Sequence, residues 1–225
     1  MELTKTARGA QTKALILETA LELFKQRGYE QTTMRAIAEQ AGVSLGNAYY
    51  YFKSKEHLIQ AFYARLHDEL LVEAAPILER RHDLKTRLHL VLRTAVEVME
   101  PYHQFSAVLF KTAADPASPL NPFSPESVEA RGQAIALFEE VVEGSKGRMP
   151  KDLRAEIGYM LWLYYMGIVL FWIHDNSAER SRTYRLVDRT CEIVVRLISL
   201  ASHPLMRPLR KSALRLINDL KEDIK

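Results

Sequence analysis

The stretch from Thr32 to Lys55, TTMRAIAEQAGVSLGNAYYYFKSK, constrains the fold more tightly than any other part of the chain. Met34, Ile37, Ala38 and Ala41 recur at i, i+3, i+4 and i+7, the spacing that gives a short helix one apolar face. Gly42 then ends that helix where a left-handed backbone suits glycine alone. Val43 plugs the turn into a core, and Ser44 stands where a side-chain oxygen caps a second short helix running to Phe52. Tyr49–Phe52 has the aromatic character of a strand, but helical periodicity on both sides argues against one. Two short helices across a glycine turn, the second opening on small and polar residues, make a helix-turn-helix.

The flanking sequence is also helical. Thr12–Arg27 carries Ile16, Leu17, Ala20, Leu21 and Phe24 on one face, with Gly28 as its stop. Ser54 caps a long helix bearing Leu58, Ile59, Phe62, Leu66 and Leu70. Helices are then expected over Leu84–Met99, around Phe105–Ala113, and over Val128–Glu143, Leu153–His174 and Thr183–Ala201. A last one follows Pro204 and Pro208, with Leu209, Ala213, Leu216, Ile217, Leu220 and Ile224 on one stripe. Asp115–Pro125, DPASPLNPFSP, holds four prolines in eleven residues and reads as an irregular loop. No alternating strand pattern and no repeat is present. The expected fold is all-α: a three-helix N-terminal domain over residues 1–55, a linking helix over about 55–72, and a helical bundle completing residues 56–225.

Charge is unevenly spread. The whole chain carries a formal +3, and residues 1–55 hold eight Lys or Arg against five Glu, so the remainder balances at 23 against 23. The excess positive charge lies with the helix-turn-helix, as a phosphate-facing surface requires. The single Cys191 excludes an internal disulfide and reads as a buried thiol. Met1 leads into a polar stretch, which points to the cytoplasm. Gly158–Ile173 is sixteen residues without a charge. That is shorter than the roughly 20 a membrane span needs, so it reads as a helix buried on most of its faces.

The ordered positions resemble the TetR family of regulators. They run Phe24-x-x-x-Gly28-Tyr29, then Thr33-x-Arg35-x-Ile37-Ala38-x-x-Ala41-Gly42-Val43-Ser44, then Gly46-x-x-Tyr49-x-x-Phe52-x-x-Lys55-x-x-Leu58. The match covers about residues 12–60; beyond it the likeness is only in being helical. The resemblance implies a double-stranded DNA operator as partner, and roles follow for matching positions. Thr33 and Arg35 would reach phosphates, or for Arg35 a base edge. Ser44, Leu45, Gly46 and Asn47 would enter the major groove, where Leu45 meets a thymine methyl and Asn47 an adenine edge. Tyr49, Tyr50, Tyr51 and Lys55 would meet the backbone. Family members often carry His at position 51, where this chain has Tyr. As plain chemistry, Arg35 and Lys55 also suit a solvated surface, Tyr49 also suits packing, and Lys53 reads as solvated.

The body offers no glycine-rich phosphate loop, no G-x-S-x-G and no H-E-x-x-H, so no enzyme is expected and no cofactor is implied. Glu100 and His103 stand one turn apart across Pro101 and read as surface contacts. The apolar run at Gly158–Ile173, with Val187, Cys191, Val194, Val195 and Ile198, suggests a homodimer paired through about residues 153–201, as in TetR regulators. Tyr102, Phe105, Phe110, Trp162 and Tyr165 are candidate walls of a site for a lipophilic or aromatic effector, with Phe123, Phe138 and Trp172 as further aromatics. Taken singly, each fits a packed core better than a ligand contact. The expected function is a repressor released from a palindromic operator by such an effector. An activator and a ligand-independent DNA-binding protein are the alternatives.

Overall fold

A computed structural model describes residues 2–80, 82–146 and 149–222, with side chains placed for residues 7–219 within those ranges. Among the described residues the chain forms ten α-helices and no strand, only an isolated bridge between Asp83 and Lys146. The helices are α1 (Glu2–Arg27), α2 (Met34–Gln40), α3 (Leu45–Tyr51), α4 (Lys55–Glu79) and α5 (Leu84–Met99). After them come α6 (His103–Ala113), α7 (Val128–Glu143), α8 (Lys151–Ile173), α9 (Ser181–Ser202) and α10 (Arg207–Glu222). The all-helical expectation stands. The first helix, however, starts at Glu2, not Thr12. Residues 2–11 hold no proline, so nothing stops the helix from growing back past its first apolar residue.

Two apolar clusters organise the chain. The first joins Ile16, Leu23 and Phe24 of α1 to Ile37 and Ala38 of α2, Ala48 of α3, and Leu58, Ile59 and Phe62 of α4. Phe105 and Leu109 of α6 and Leu120 of the proline-rich loop complete it. It therefore extends past residue 55. The second gathers Leu70 and Ala74 of α4 with α5, α7, α8 and α9. The 115–125 segment is irregular, as its prolines demand, yet it buries Leu120 fully.

Two expected faces turn out differently. On α10 the side packed toward α8 carries Arg210, Leu214 and Ile217, while Leu209, Ala213 and Leu216 face outward. The buried Arg210 guanidinium makes the difference, donating to Asp152 Oδ2 (3.0 Å) and to the Ala201 carbonyl (2.7 Å). Leu220 and Ile224 lie outside the described side chains. The second face is on α8, which is not buried on most sides. It is long and apolar enough to cross a membrane by length and composition, and only a third of its apolar window is buried. Leu153, Ile157, Leu161, Trp162, Ile168 and Trp172 point inward, whereas Met160, Leu163, Leu170 and Phe171 are open on the opposite side.

Arg87 on α5 is 1% exposed and forms no salt bridge with a carboxylate among the described residues. Its Nε donates to Val141 O (2.9 Å) and Nη2 to Glu140 O (2.9 Å), near the end of α7. Its Nη1 donates to Leu78 O (2.8 Å) and Arg80 O (2.9 Å), at the end of α4. Those carbonyls form the negative ends of two helix dipoles, so the guanidinium is neutralised by backbone. A Cβ at Gly144 would stand 2.4 Å from Nη2, so only glycine admits this approach. Arg87→Met should lower unfolding free energy by about 3 kcal/mol or more, because several buried carbonyls lose their donor at once. Arg87→Lys should not rescue it, since a point ammonium cannot span both helix ends. Urea unfolding of the three proteins checks both statements.

Asp175, buried in the α8–α9 connection, accepts from the backbone N–H of Ser177 and from both the N–H and hydroxyl of Thr183. Burial acts to raise this carboxyl, but those donors outweigh it, and the group is held well below the usual range. Its stabilisation is therefore present above the unfolded value of about 3.9 and lost as pH falls below it. Asp175→Asn should cost about 1–3 kcal/mol near neutral pH. The gap from the parent protein should then narrow as unfolding is repeated at successively lower pH.

Candidate DNA-binding surface and internal cavity

The helix-turn-helix is set by two side-chain caps and one glycine. Thr33 Oγ1 accepts from Ala36 N (3.2 Å) at the start of α2, which leaves its hydroxyl proton free to donate outward. Gly42 takes φ +66°, and Ser44 Oγ accepts from Asn47 N (3.1 Å) to open α3. Thr33, Arg35, Ser44, Gly46, Tyr49 and Tyr50 are exposed, with Tyr50 at 78% the most exposed of the tyrosines on α3. Leu45 and Asn47 are half-buried, and Leu45 packs partly on the first cluster. An added Cβ at Gly46 would meet nothing within 4 Å, so no neighbour inside the protein requires glycine there.

Two expected contact residues carry internal duties. Tyr51 packs against the first cluster, and its hydroxyl lies 3.4 Å from where a Cβ of Gly9 would stand, which places the early part of α1 beside α3. Lys55 Nζ donates to the Tyr29 carbonyl (2.7 Å) and stands 4.3 Å above the Tyr29 ring. The Tyr29 hydroxyl donates to Glu56 Oε1 (2.7 Å), so burial and this carboxylate both push the phenol well above its ordinary value. Together the three residues lock the end of α1 to the start of α4. Reading Lys55 only as a phosphate contact missed that lock, because nothing in the linear spacing brings Tyr29 beneath it.

A cavity of about 280 Å³ lies among α4, α5, α6, α7 and α8. Tyr102, Phe110, Trp162 and Tyr165 line it, but Phe105 does not. Phe105 points to the other side of α6, stacked on Phe24 (centroids 5.9 Å apart) and edge-on to Phe62 (5.8 Å). Residues that the sequence did not single out contribute much of the wall: Tyr63 and His67 on α4, Met99 on α5, Arg131 on α7 and Met166 on α8. The helical spacing of Tyr63 and His67 was a usable signal. Leu120 and Pro122 bring the proline-rich loop to the cavity. The Tyr165 hydroxyl reaches only Met99 Sδ (3.5 Å), and burial pushes its pKa up to about 12.

Neither Glu100 nor His103 lines this cavity; His103 is buried and is not a surface contact, whereas Glu100 stays at the surface and pairs with Arg180 Nε (3.3 Å). The Trp172 indole N–H donates to Glu100 Oε2 (3.0 Å), and His103, itself buried, donates from Nε2 to the Trp172 carbonyl (2.8 Å). Both polar ends of Trp172 are thereby satisfied, the indole N–H by Glu100 and the carbonyl by His103. Among the described residues no group of three or more His, Cys, Asp or Glu side chains is placed to hold a metal ion.

The chain matches the family model described as bacterial regulatory proteins, tetR family, over residues 16–62. It matches the tetracyclin repressor-like C-terminal domain over residues 87–216. It is 26% identical over 182 residues to the HTH-type transcriptional repressor BepR of Brucella suis, covering 76% of this chain and 85% of that protein. It is 30% identical over 93 residues to the HTH-type transcriptional repressor KstR2 of Rhodococcus jostii, covering 41% of this chain and 46% of that protein. The solved structure of the transcriptional regulator FadR from Bacillus subtilis in complex with stearoyl-CoA shares the fold. Its TM-score is 0.62 at 18% identity, over 81% of this chain and 97% of that one. A TetR transcriptional regulator from Nitrosomonas europaea gives a TM-score of 0.62 at 20% identity, over 80% and 96%. With the C-terminal model alone spanning more than half of its residues, the chain belongs to the TetR family of DNA-binding transcriptional regulators.

Proposed function

We propose that the protein is a cytoplasmic repressor that binds a palindromic operator as a homodimer and leaves it when a lipophilic molecule enters the cavity. One observation carries the ligand control. Phe62, Leu109 and Leu120 belong both to the cluster that holds the helix-turn-helix together and to the cavity wall. A ligand that moves this wall moves the packing beneath α1, and with it the separation of two recognition helices. In this reading residues 1–55 form the DNA-binding domain, α4 links it, and residues 56–225 complete the regulatory body.

The operator would be met by Thr33 and Arg35 at α2, by Ser44, Leu45, Gly46 and Asn47 in the major groove, and by Tyr49, Tyr50, Tyr51 and Lys55 along the backbone. Exposure of Arg35, Tyr49 and Tyr50 and the open space over Gly46 support this. Arg35→Ala and Tyr50→Phe should each weaken binding to the DNA upstream of the gene by about 1 kcal/mol with melting temperature unchanged. Asn47→Ala should instead alter base preference, by about 1–3 kcal/mol at the affected pair. Fluorescence titration against operator variants reads both effects, and unaltered affinities would refute the assignment.

Pairing is supported by the open apolar faces of α8 and α9. Leu163, Leu170 and Phe171 on one, and Ile193, Leu197 and Leu200 on the other, are each at least 40% exposed. Covering them with the same face of a second copy makes a four-helix contact. Light scattering should give twice 25.8 kDa for the parent protein. The double variant Leu170→Glu, Leu197→Glu should give a folded monomer with much weaker operator binding.

A further inference from the structure

The charges on the cavity wall say which kind of molecule it takes. No Asp, Glu or Lys lines it, and Arg131, in the first turn of α7, is the one residue in the wall that is always charged. Arg131 Nη1 donates to the carbonyls of Pro122 (2.6 Å) and Ser124 (3.3 Å), which pins the guanidinium beside the proline-rich loop. Its Nε and Nη2 have no acceptor among the described residues, and no carboxylate is paired with it there. Two further polar groups come from α4. The Tyr63 hydroxyl makes no hydrogen bond to a described residue, and one turn on stands His67, whose imidazole burial pushes below its ordinary value. At neutral pH the wall is therefore apolar and aromatic, with one uncompensated positive charge and a free phenol.

Arg131 is half-buried, so its free N–H groups can trade solvent for an anion in the cavity, with which they make charge-assisted hydrogen bonds. Aromatic faces can hold a cation, but here a cation would share a low-dielectric space with Arg131 and find no carboxylate. We propose, resting on the reading that this cavity is the effector site, that the effector is an apolar molecule with a single negative headgroup, of the carboxylate kind, paired with Arg131. Cationic lipophiles are excluded by the same wall.

Three probes of equal chain length separate the charge from the tail: decanoate, decanol and decyltrimethylammonium, each kept below its micelle concentration and titrated by calorimetry and thermal melting. The full-length protein should bind decanoate at least tenfold more tightly than decanol, and should bind the ammonium compound weakest of the three. Arg131→Gln should bring decanoate down to the level of decanol with decanol itself unchanged, while Arg131→Lys should keep most of the carboxylate preference. Unchanged decanol binding shows that the cavity survives the substitution. Equal affinity for the three probes, preference for the cation, binding of none, or a carboxylate preference that persists in Arg131→Gln would each overturn the inference. Operator binding, followed in parallel, distinguishes the two readings. Decanoate bound through Arg131 without loss of operator affinity leaves the ligand class standing and refutes ligand-controlled release. Release by decanol with no decanoate binding does the reverse.

Discussion

A buried guanidinium held by backbone carbonyls governs how the body is assembled. Arg87 is held by carbonyls at the ends of α4 and α7, so these helices cannot shift against each other without exposing several acceptors together. Gly144 keeps the gap narrow enough for the contact. Because α4 also carries Leu58, Ile59 and Phe62 into the N-terminal cluster, the clasp sets the angle at which the DNA-binding helices leave the bundle. An aliphatic residue at position 87 would fill the volume but could not bind two helix termini to a third helix.

The rest of the body is less firmly closed. α4 and α6 each present two faces, one to the helix-turn-helix core and one to the cavity, and α6 does so with alternating aromatics. Phe105 faces Phe24, while Phe110 faces the cavity. No separate relay is needed between cavity and DNA surface, because one layer of side chains serves both. Trp172, in the cavity wall, is held at both polar ends by hydrogen bonds with Glu100 and His103.

Much of this was legible in order along the chain. Helix-turn-helix spacing, caps at Ser44 and Ser54, and proline punctuation are local signals, and a local signal survives without knowledge of the partner face. What failed depended on who packs against whom. The α10 stripe of Leu209, Ala213 and Leu216 obeys helical periodicity, but the buried side follows Arg210, whose acceptors are Asp152, far away in sequence, and Ala201 at the end of α9. Phe105 and Phe110 share the short helix α6, yet Phe105 belongs to the first cluster while Phe110 lines the cavity. Lys55 was read from its place in a motif, while its closest neighbour, Tyr29, comes from the preceding helix end. The start of α1 was missed because polar residues carry no periodicity to count.

Gly46 has a consequence of another kind. Glycine within a helix costs about 1 kcal/mol relative to alanine, and the fold has room for a methyl group there. Folding alone would therefore favour replacing it, and a survey of variants scored by cellular abundance would report position 46 as freely mutable. Under the proposed operator contact, the DNA backbone and base edges supply the missing constraint from outside the molecule. The recognition helix then keeps a weak point in its own first turn, and a stabilised version of this protein obtained by ordinary helix-propensity rules would be improved as a folded object at the cost of its capacity to read a sequence.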